Sequence, residues 1–255
     1  MIVQGKCETI RSWEFGALGS KVFYTRIAYG SLGLSSEDRR KIKLKLARCL
    51  VAAMGVNSRH RRDFLIPSNL ALNIRSDYLG KPTLEVLGWG DFSISFSYGS
   101  GEVWGAIANA NLTCGIDVAF PLEFLPPYPV QRAFQPRELD TLASVHNFSL
   151  SGAAGFLWSA KESFTKALGI GFNICDPLDL FLVSSGSCDE YFQSYFSISR
   201  ALSERLGIQG FLPVQTFTRH EGAGFLSLSV IKSSGCRDWL HVHKSLQKRM
   251  AGLSQ

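Results

Sequence analysis

The feature that most constrains this chain is a pattern that occurs twice: a helical segment with one apolar stripe, then a meander of short β-type segments. In the first half, 21–29 is rich in Val, Phe, Tyr, Thr and Ile and reads as a strand. Ser35 or Ser36, followed by Glu37 and Asp38, signals a helix start. The helix is expected to run to about Met54 and stop at Gly55, with Ile42, Leu46, Cys49, Leu50 and Ala53 on one stripe. Strands follow at 83–87, 92–97 and 102–108, the last two joined by the hairpin turn Tyr98-Gly99-Ser100-Gly101.

The second half opens with a short strand at 113–119 and a connecting loop at 121–129 that holds four prolines. Helices are expected at 136–144 and 151–168, then strands at 180–183, 211–218 and 225–231 flanking a helix over 189–206. A short C-terminal helix begins near Arg237. The helix ends at 47–55 and 160–169 echo one another faintly. The expectation is an α+β (α/β) chain of two similar halves, 1–110 and 111–255, joined around residues 109–114.

With 255 residues, 45% of them hydrophobic, the chain can bury a sizeable core. No apolar run approaches the ~18 residues of a membrane helix. The first thirteen residues show neither a signal core nor a transit pattern, so the expectation is a cytoplasmic monomer that does not enter membranes. Six cysteines without a C-x-x-C pair read as small buried apolar residues, not as a zinc site or a disulfide framework. A net charge of +6 calls for an acidic partner. Lys41, Lys45 and Arg48, with Arg59, Arg61 and Arg62, form the most basic region, readable as a solvated face or as a phosphate or carrier-protein contact. Nucleic acid is supported by charge alone, and the aromatics are spread as a core would spread them. Gly222-Ala223-Gly224 lacks a dinucleotide fingerprint, and His241-Val242-His243 has no third metal ligand.

On the helix containing 158–166, Leu157, Ala160, Phe164 and Leu168 face inward, and Ser159, Glu162, Ser163 and Lys166 lie opposite. Glu162 and Lys166 at i, i+4 are neighbours, which by itself fits an ordinary surface pair. Asp117 ends a short apolar strand after Gly115-Ile116, where a carboxylate serves either a turn or a metal. Together Asp117 and Glu162 suit one Mg²⁺ with room for water and phosphate oxygens, and Lys166 beside them adds charge for a pyrophosphate.

Gly115-Ile116-Asp117, followed by Trp158-Ser159-Ala160-Lys161-Glu162-Ser163-Phe164-Thr165-Lys166, resembles the two signature motifs of phosphopantetheinyl transferases of the surfactin-synthetase-activating type. Gly80-Lys81-Pro82 resembles that family's G-K-P element, and Ser93-Ile94-Ser95-Phe96-Ser97 its S-I-S-H-S strand. The resemblance implies two α/β subdomains in a pseudo-twofold arrangement, with coenzyme A as substrate and Mg²⁺ as cofactor bound between them. It implies Asp117 and Glu162 as metal ligands and Asp117, Glu162 and Lys166 as catalytic residues. Lys81 and Ser95 would contact nucleotide phosphates, and Lys161 and Lys166 would face the pyrophosphate. A serine of an acyl or peptidyl carrier protein would attack the phosphate bearing pantetheine and release adenosine 3′,5′-bisphosphate. Glu162 would be the base, directly or through a metal-bound water, and Lys166 would stabilise the leaving group. Three departures stand out. Ala119 replaces a third acid, Phe96 replaces the histidine expected at the 3′-phosphate, and one helix instead of two precedes the G-K-P element. The alternative is a coenzyme A- or carrier-binding protein on the same fold without transferase activity.

Overall fold

The computed structural model describes residues 7–15, 20–30, 34–57, 71–77, 79–109, 112–188, 190–206 and 214–232. Helix α1 (Ser36–Asn57) starts where the Ser35 hydroxyl accepts the Asp38 amide at 3.1 Å, a side-chain cap on an otherwise orphaned N–H. It runs through Gly55 and so outlasts the expected stop. Ile42, Leu46 and Leu50 are buried as the stripe requires, joined by Ala47 and Val51.

Around α1 lies a sheet of β1 (Arg11–Phe15), β2 (Ser20–Ala28), β3 (Leu72–Ser76), β4 (Pro82–Val86), β5 (Gly90–Gly99) and β6 (Glu102–Ala108). Its order is β1-β2-β6-β5-β4-β3, with every pair antiparallel. The second sheet comprises β7 (Leu112–Ala119), β8 (Leu180–Cys188), β9 (Tyr191–Ile198), β10 (Val214–Glu221) and β11 (Gly224–Lys232), in the order β7-β11-β10-β9-β8. Its helices are α2 (Pro136–His146), α3 (Leu150–Leu168), the single turn α4 (Gly171–Ile174) and α5 (Arg200–Leu206). The topology repeats. Strand, helix and four-stranded meander run β2-α1-β3-β4-β5-β6 and then β7-α3-β8-β9-β10-β11, and in each case the last strand returns beside the first.

The meanders turn on matching hairpins. Gly99 pairs with Glu102 around Ser100 and Gly101, whose φ of 46° and 76° is the left-handed pair that a two-residue loop demands. Glu221 pairs with Gly224 around Gly222 and Ala223, where Gly222 alone is left-handed, with a φ of 57°; Gly224 is required for a different reason, since a Cβ there would lie 2.7 Å from the Ala119 carbonyl oxygen.

Alternation along the strands divides the core into three. Val103 and Ile107 face α1, whereas Trp104, Ala106 and Ala108 on the same strand meet Ile116, Val118, Leu226 and Leu228 of the second sheet. Phe156, Ala160 and Phe164 of α3 close the far layer. The order is therefore helix, sheet, sheet, helix, with apolar side chains filling each interval.

Three expectations are corrected. Residues 189–206 are not one helix. Tyr191–Ile198 is a strand, because its aromatic and β-branched residues complete the meander between β8 and β10, and only Arg200–Leu206 is helical. The proline-rich loop holds short 3-10 turns at Pro121–Phe124 and, just beyond it, Val130–Arg132. Of the cysteines, Cys114 and Cys175 are buried, Cys7 and Cys49 half-buried, and Cys188 exposed. The helix expected from Arg237, the basic run Arg59, Arg61 and Arg62, Cys236 and the histidines at 241 and 243 lie outside the described residues. No described helix is long and apolar enough to cross a membrane.

Candidate active site

The site begins with a missing side chain. A Cβ at Gly115 would lie 2.0 Å from the Ser163 carbonyl oxygen and 2.5 Å from the Ala167 amide nitrogen. Glycine alone lets β7 touch the backbone of α3. Two residues on, Asp117 points the same way and meets Lys166, with Nζ to Oδ1 at 2.7 Å. Glu162, one turn earlier on α3, lies 3.3 Å from the same ammonium. Ser97 of β5 donates to Asp117 Oδ1 at 2.7 Å, while Oδ2 is buried without a hydrogen-bond partner. Burial pushes the Asp117 carboxyl up to about 7, and Glu162 adds to this against the pull of Lys166 and Ser97. Burial also disfavours the Lys166 ammonium, but the two carboxylates outweigh it and hold its pKa above the ordinary value.

Beside this cluster, the pairing of β5 with β4 ends at Ser93↔Thr83, so the edge of β5 beyond Ser93 is open to a cleft of about 220 Å³. Lys43, Lys81, Ser95, Phe96, Tyr98 and Lys166 are among its walls. Three expected residues, Lys81, Ser95 and Lys166, thus share one cavity. Lys81 donates to the Ala167 carbonyl at 2.9 Å. Ser95 accepts the Ile116 amide at 3.1 Å, and its neighbours Ser93 and Ser97 accept the amides of Cys114 and Val118. The serine face of β5 therefore stitches the two sheets together at the site.

Phe96, on the opposite face of β5, is 7% exposed and belongs to the α1-facing core. The Lys43 ammonium lies 5.4 Å from the centre of its ring. Burial, and Arg39 after it, hold the pKa of Lys43 below its ordinary value. Sequence reasoning chose Lys41, Lys45 and Arg48 from α1 and missed Lys43. All three are exposed, and Lys41 pairs with Glu37 at 3.7 Å. The overlooked signal was phase: Lys43 stands four and seven residues before Ala47 and Leu50, on the rim of the buried stripe.

Two other assignments are corrected. Lys161, expected at the pyrophosphate, is fully buried and bonds Glu138 at 2.7 Å and the Pro177 carbonyl at 3.0 Å. Its helical phase is that of Leu157, Phe164 and Leu168, so it enters the core on the face away from Lys166. Ser159 and Ser163 are also buried, not on an open side. Each bonds a serine of β11, Ser227 at 2.8 Å and Ser229 at 2.7 Å. Thr218 and Thr216 of β10 continue these two hydroxyl chains at 2.7 Å.

Two carboxylates converging on one cation, with a spare buried oxygen, fit a hard divalent ion that completes its shell with water and phosphate oxygens. Ala119 contributes no third ligand; it is wholly buried in the α3-facing core. Among the described residues no three acids, histidines or cysteines cluster as a metal site. Chemically, the arrangement can neutralise an anionic substrate and accept a proton at Glu162. Residues 113–223, which include Asp117, Glu162 and Lys166, match the model of the 4'-phosphopantetheinyl transferase superfamily. The chain has no match among curated proteins.

Proposed function

We propose, on the premise that residues 113–223 form a 4'-phosphopantetheinyl transferase superfamily domain, that the chain transfers phosphopantetheine from coenzyme A to a serine of an acyl or peptidyl carrier protein. The observation that carries this reading is the convergence of Asp117, Glu162 and Lys166 beside a cleft walled by Lys43, Lys81 and Ser95. The repeated strand–helix–meander order supports two subdomains, 1–110 and 111–255, in a pseudo-twofold arrangement of the surfactin-synthetase-activating type.

The carrier serine oxygen forms a bond to the phosphorus that bears pantetheine. The bond from that phosphorus to the bridging oxygen breaks, and adenosine 3′,5′-bisphosphate leaves. Glu162, partly open to solvent, takes the serine proton. Lys166 stabilises the charge that grows on the leaving phosphate. Asp117 holds Lys166 in place; Asp117 and Glu162 would hold Mg²⁺, which would supply further neutralisation of the phosphate charge. Lys81 and Ser95 hold the nucleotide phosphates, and Lys43 supplies the cation that Phe96 does not. Lys161 has no part at the site and positions α2 against α3. The basic chain complements an acidic carrier protein.

Intact-protein mass spectrometry of apo carrier proteins incubated with the chain, coenzyme A and Mg²⁺ tests this. The expected result is a phosphopantetheine adduct on the carrier that is lost with Glu162→Gln. Thermal stabilisation by coenzyme A with no adduct on any carrier would establish the binding protein in place of the transferase.

A further inference from the structure

Two thiols meet where the segment before β1 passes α1. Cys7 forms an isolated antiparallel bridge with Ile27 of β2. The next residue extends it: the Glu8 amide donates to the Arg26 carbonyl at 3.1 Å, and the Thr25 hydroxyl donates to the Glu8 carbonyl at 3.0 Å. This pairing fixes the phase of the segment. Cys7 takes the face of its partner Ile27, so its side chain packs against the α1-facing core, with Sγ 3.6 Å from Thr25 Oγ1. Cys49 stands on α1 next to the buried Leu50 and one turn beyond Lys45. Its thiol donates a hydrogen bond to Cys7 Sγ. Both cysteines are free and half-buried, whereas Cys114 and Cys175 are closed off in the core.

The two thiols differ in character. The hydrogen bond from Cys49 favours the Cys7 thiolate most. The Thr25 hydroxyl and the Lys45 ammonium add to it, and against burial and the Glu8 carboxylate they hold the Cys7 pKa well below the ordinary thiol value. Cys49 moves the opposite way, because it keeps the proton it shares with Cys7 and is itself partly desolvated. Burial alone dominates at the other two, pushing Cys114 up to about 11 and Cys175 up to about 12. An activated sulfur with a second sulfur in contact is the arrangement that thiol–disulfide exchange requires.

We propose that Cys7 and Cys49 form a redox-active dithiol, a modification site that a small-molecule disulfide converts into an intramolecular Cys7–Cys49 bond. The Cys7 thiolate attacks one sulfur of the small disulfide. That S–S bond breaks, and the far half leaves as a thiolate that takes a proton from water. Cys49 then gives its proton to solvent, attacks the Cys7 sulfur of the mixed disulfide and expels the second half as a thiol. Cys7 and Cys49 together lose two electrons, and the reagent is reduced to two thiols. The bond fastens the segment before β1 to α1.

Oxidised glutathione is the probe, added to the reduced full chain, quenched with N-ethylmaleimide and mapped by peptide mass spectrometry. The expected result is a linked Cys7–Cys49 peptide, both residues shielded from maleimide, and recovery of both thiols with dithiothreitol. Cys49→Ser stops the sequence after the first exchange, so glutathione remains on Cys7. Cys7→Ser abolishes the link and leaves Cys49 reacting about tenfold or more slowly than Cys7 does in the unaltered chain, as a thiol that holds its proton must. Iodoacetamide at pH 7 alkylates the half-buried Cys7 of the unaltered chain faster than the exposed Cys188. A Cys7 left free by the oxidant, a glutathione adduct that persists on Cys7 beside an intact Cys49, or linkage of either residue to another cysteine overturns the assignment. If a variant does not fold, the map of the unaltered chain decides by itself.

Discussion

The Lys81 ammonium donates to the carbonyl oxygen of Ala167, joining the loop before β4 to the last turn of α3 across 86 residues of sequence. The same oxygen accepts the Thr113 hydroxyl at 3.1 Å. A lysine at a helix C-terminus satisfies a carbonyl that the helix itself cannot, so Lys81 anchors α3 while lining the cleft. Lys81→Met keeps the stem and removes the charge. The expected outcome by calorimetry is coenzyme A binding weakened about five- to tenfold, within the range for losing one contact to a charged group. Unchanged affinity would restrict Lys81 to the helix end.

Asp117 ionises near 3.8 when unfolded and is pushed up to about 7 by burial. Between those values the native state holds a proton that the unfolded chain has lost. Stability from this group is therefore fully present below about pH 4 and drains away as pH rises through about 7. Asp117→Asn cannot titrate, so its Tm should fall less than that of the unaltered chain between pH 5 and pH 8. Transfer should be nearly lost in the same variant. Parallel Tm profiles would show that the carboxyl titrates no differently in the fold.

Gly115→Ala is expected to destabilise the fold by about 4 kcal/mol or more, since backbone on both sides of the added methyl must move. Gly186→Ala in β8 is the control. Its Cβ meets nothing within 4 Å, and a surface change of this kind stays within about 0.5 kcal/mol. Urea unfolding of the two variants compares them directly.

Lys161→Met leaves Glu138 buried opposite an apolar side chain, although Glu138 still accepts the Gln135 and Leu182 amides. Breaking one partner of a buried pair costs about 3–5 kcal/mol. The denaturation midpoint should drop accordingly, while KM for coenzyme A in the folded enzyme stays constant. A selective rise in KM would return Lys161 to the substrate.

Lys43→Met is expected to weaken coenzyme A about tenfold, and dephospho-coenzyme A little, if the ammonium addresses the 3′-phosphate. Equal losses for both ligands would place Lys43 elsewhere along the nucleotide. Phe96→His is expected to lower Tm, because the ring it replaces is core.

Much of this molecule was legible in order along the chain. The apolar stripe of α1, the hairpin at Ser100-Gly101, the span of α3 and the pairing of Glu162 with Lys166 all follow from periods and turn chemistry that act over a few residues. Strand β9 was misread because its alternation is short, and its role depends on β8 and β10 lying on either side. Lys161 and Lys43 exchanged places for a related reason. Periodicity states which residues share a face, but not whether Glu138 or a phosphate-sized cleft stands opposite that face. The sequence by itself determined which elements form and which carboxylates and lysines the second half offers. Only the tertiary structure decided which of them meet, because the contacts from Ser97 and Lys166 to Asp117, from Lys81 to Ala167 and from Lys161 to Glu138 each join residues at least 20 positions apart, beyond the reach of any local propensity.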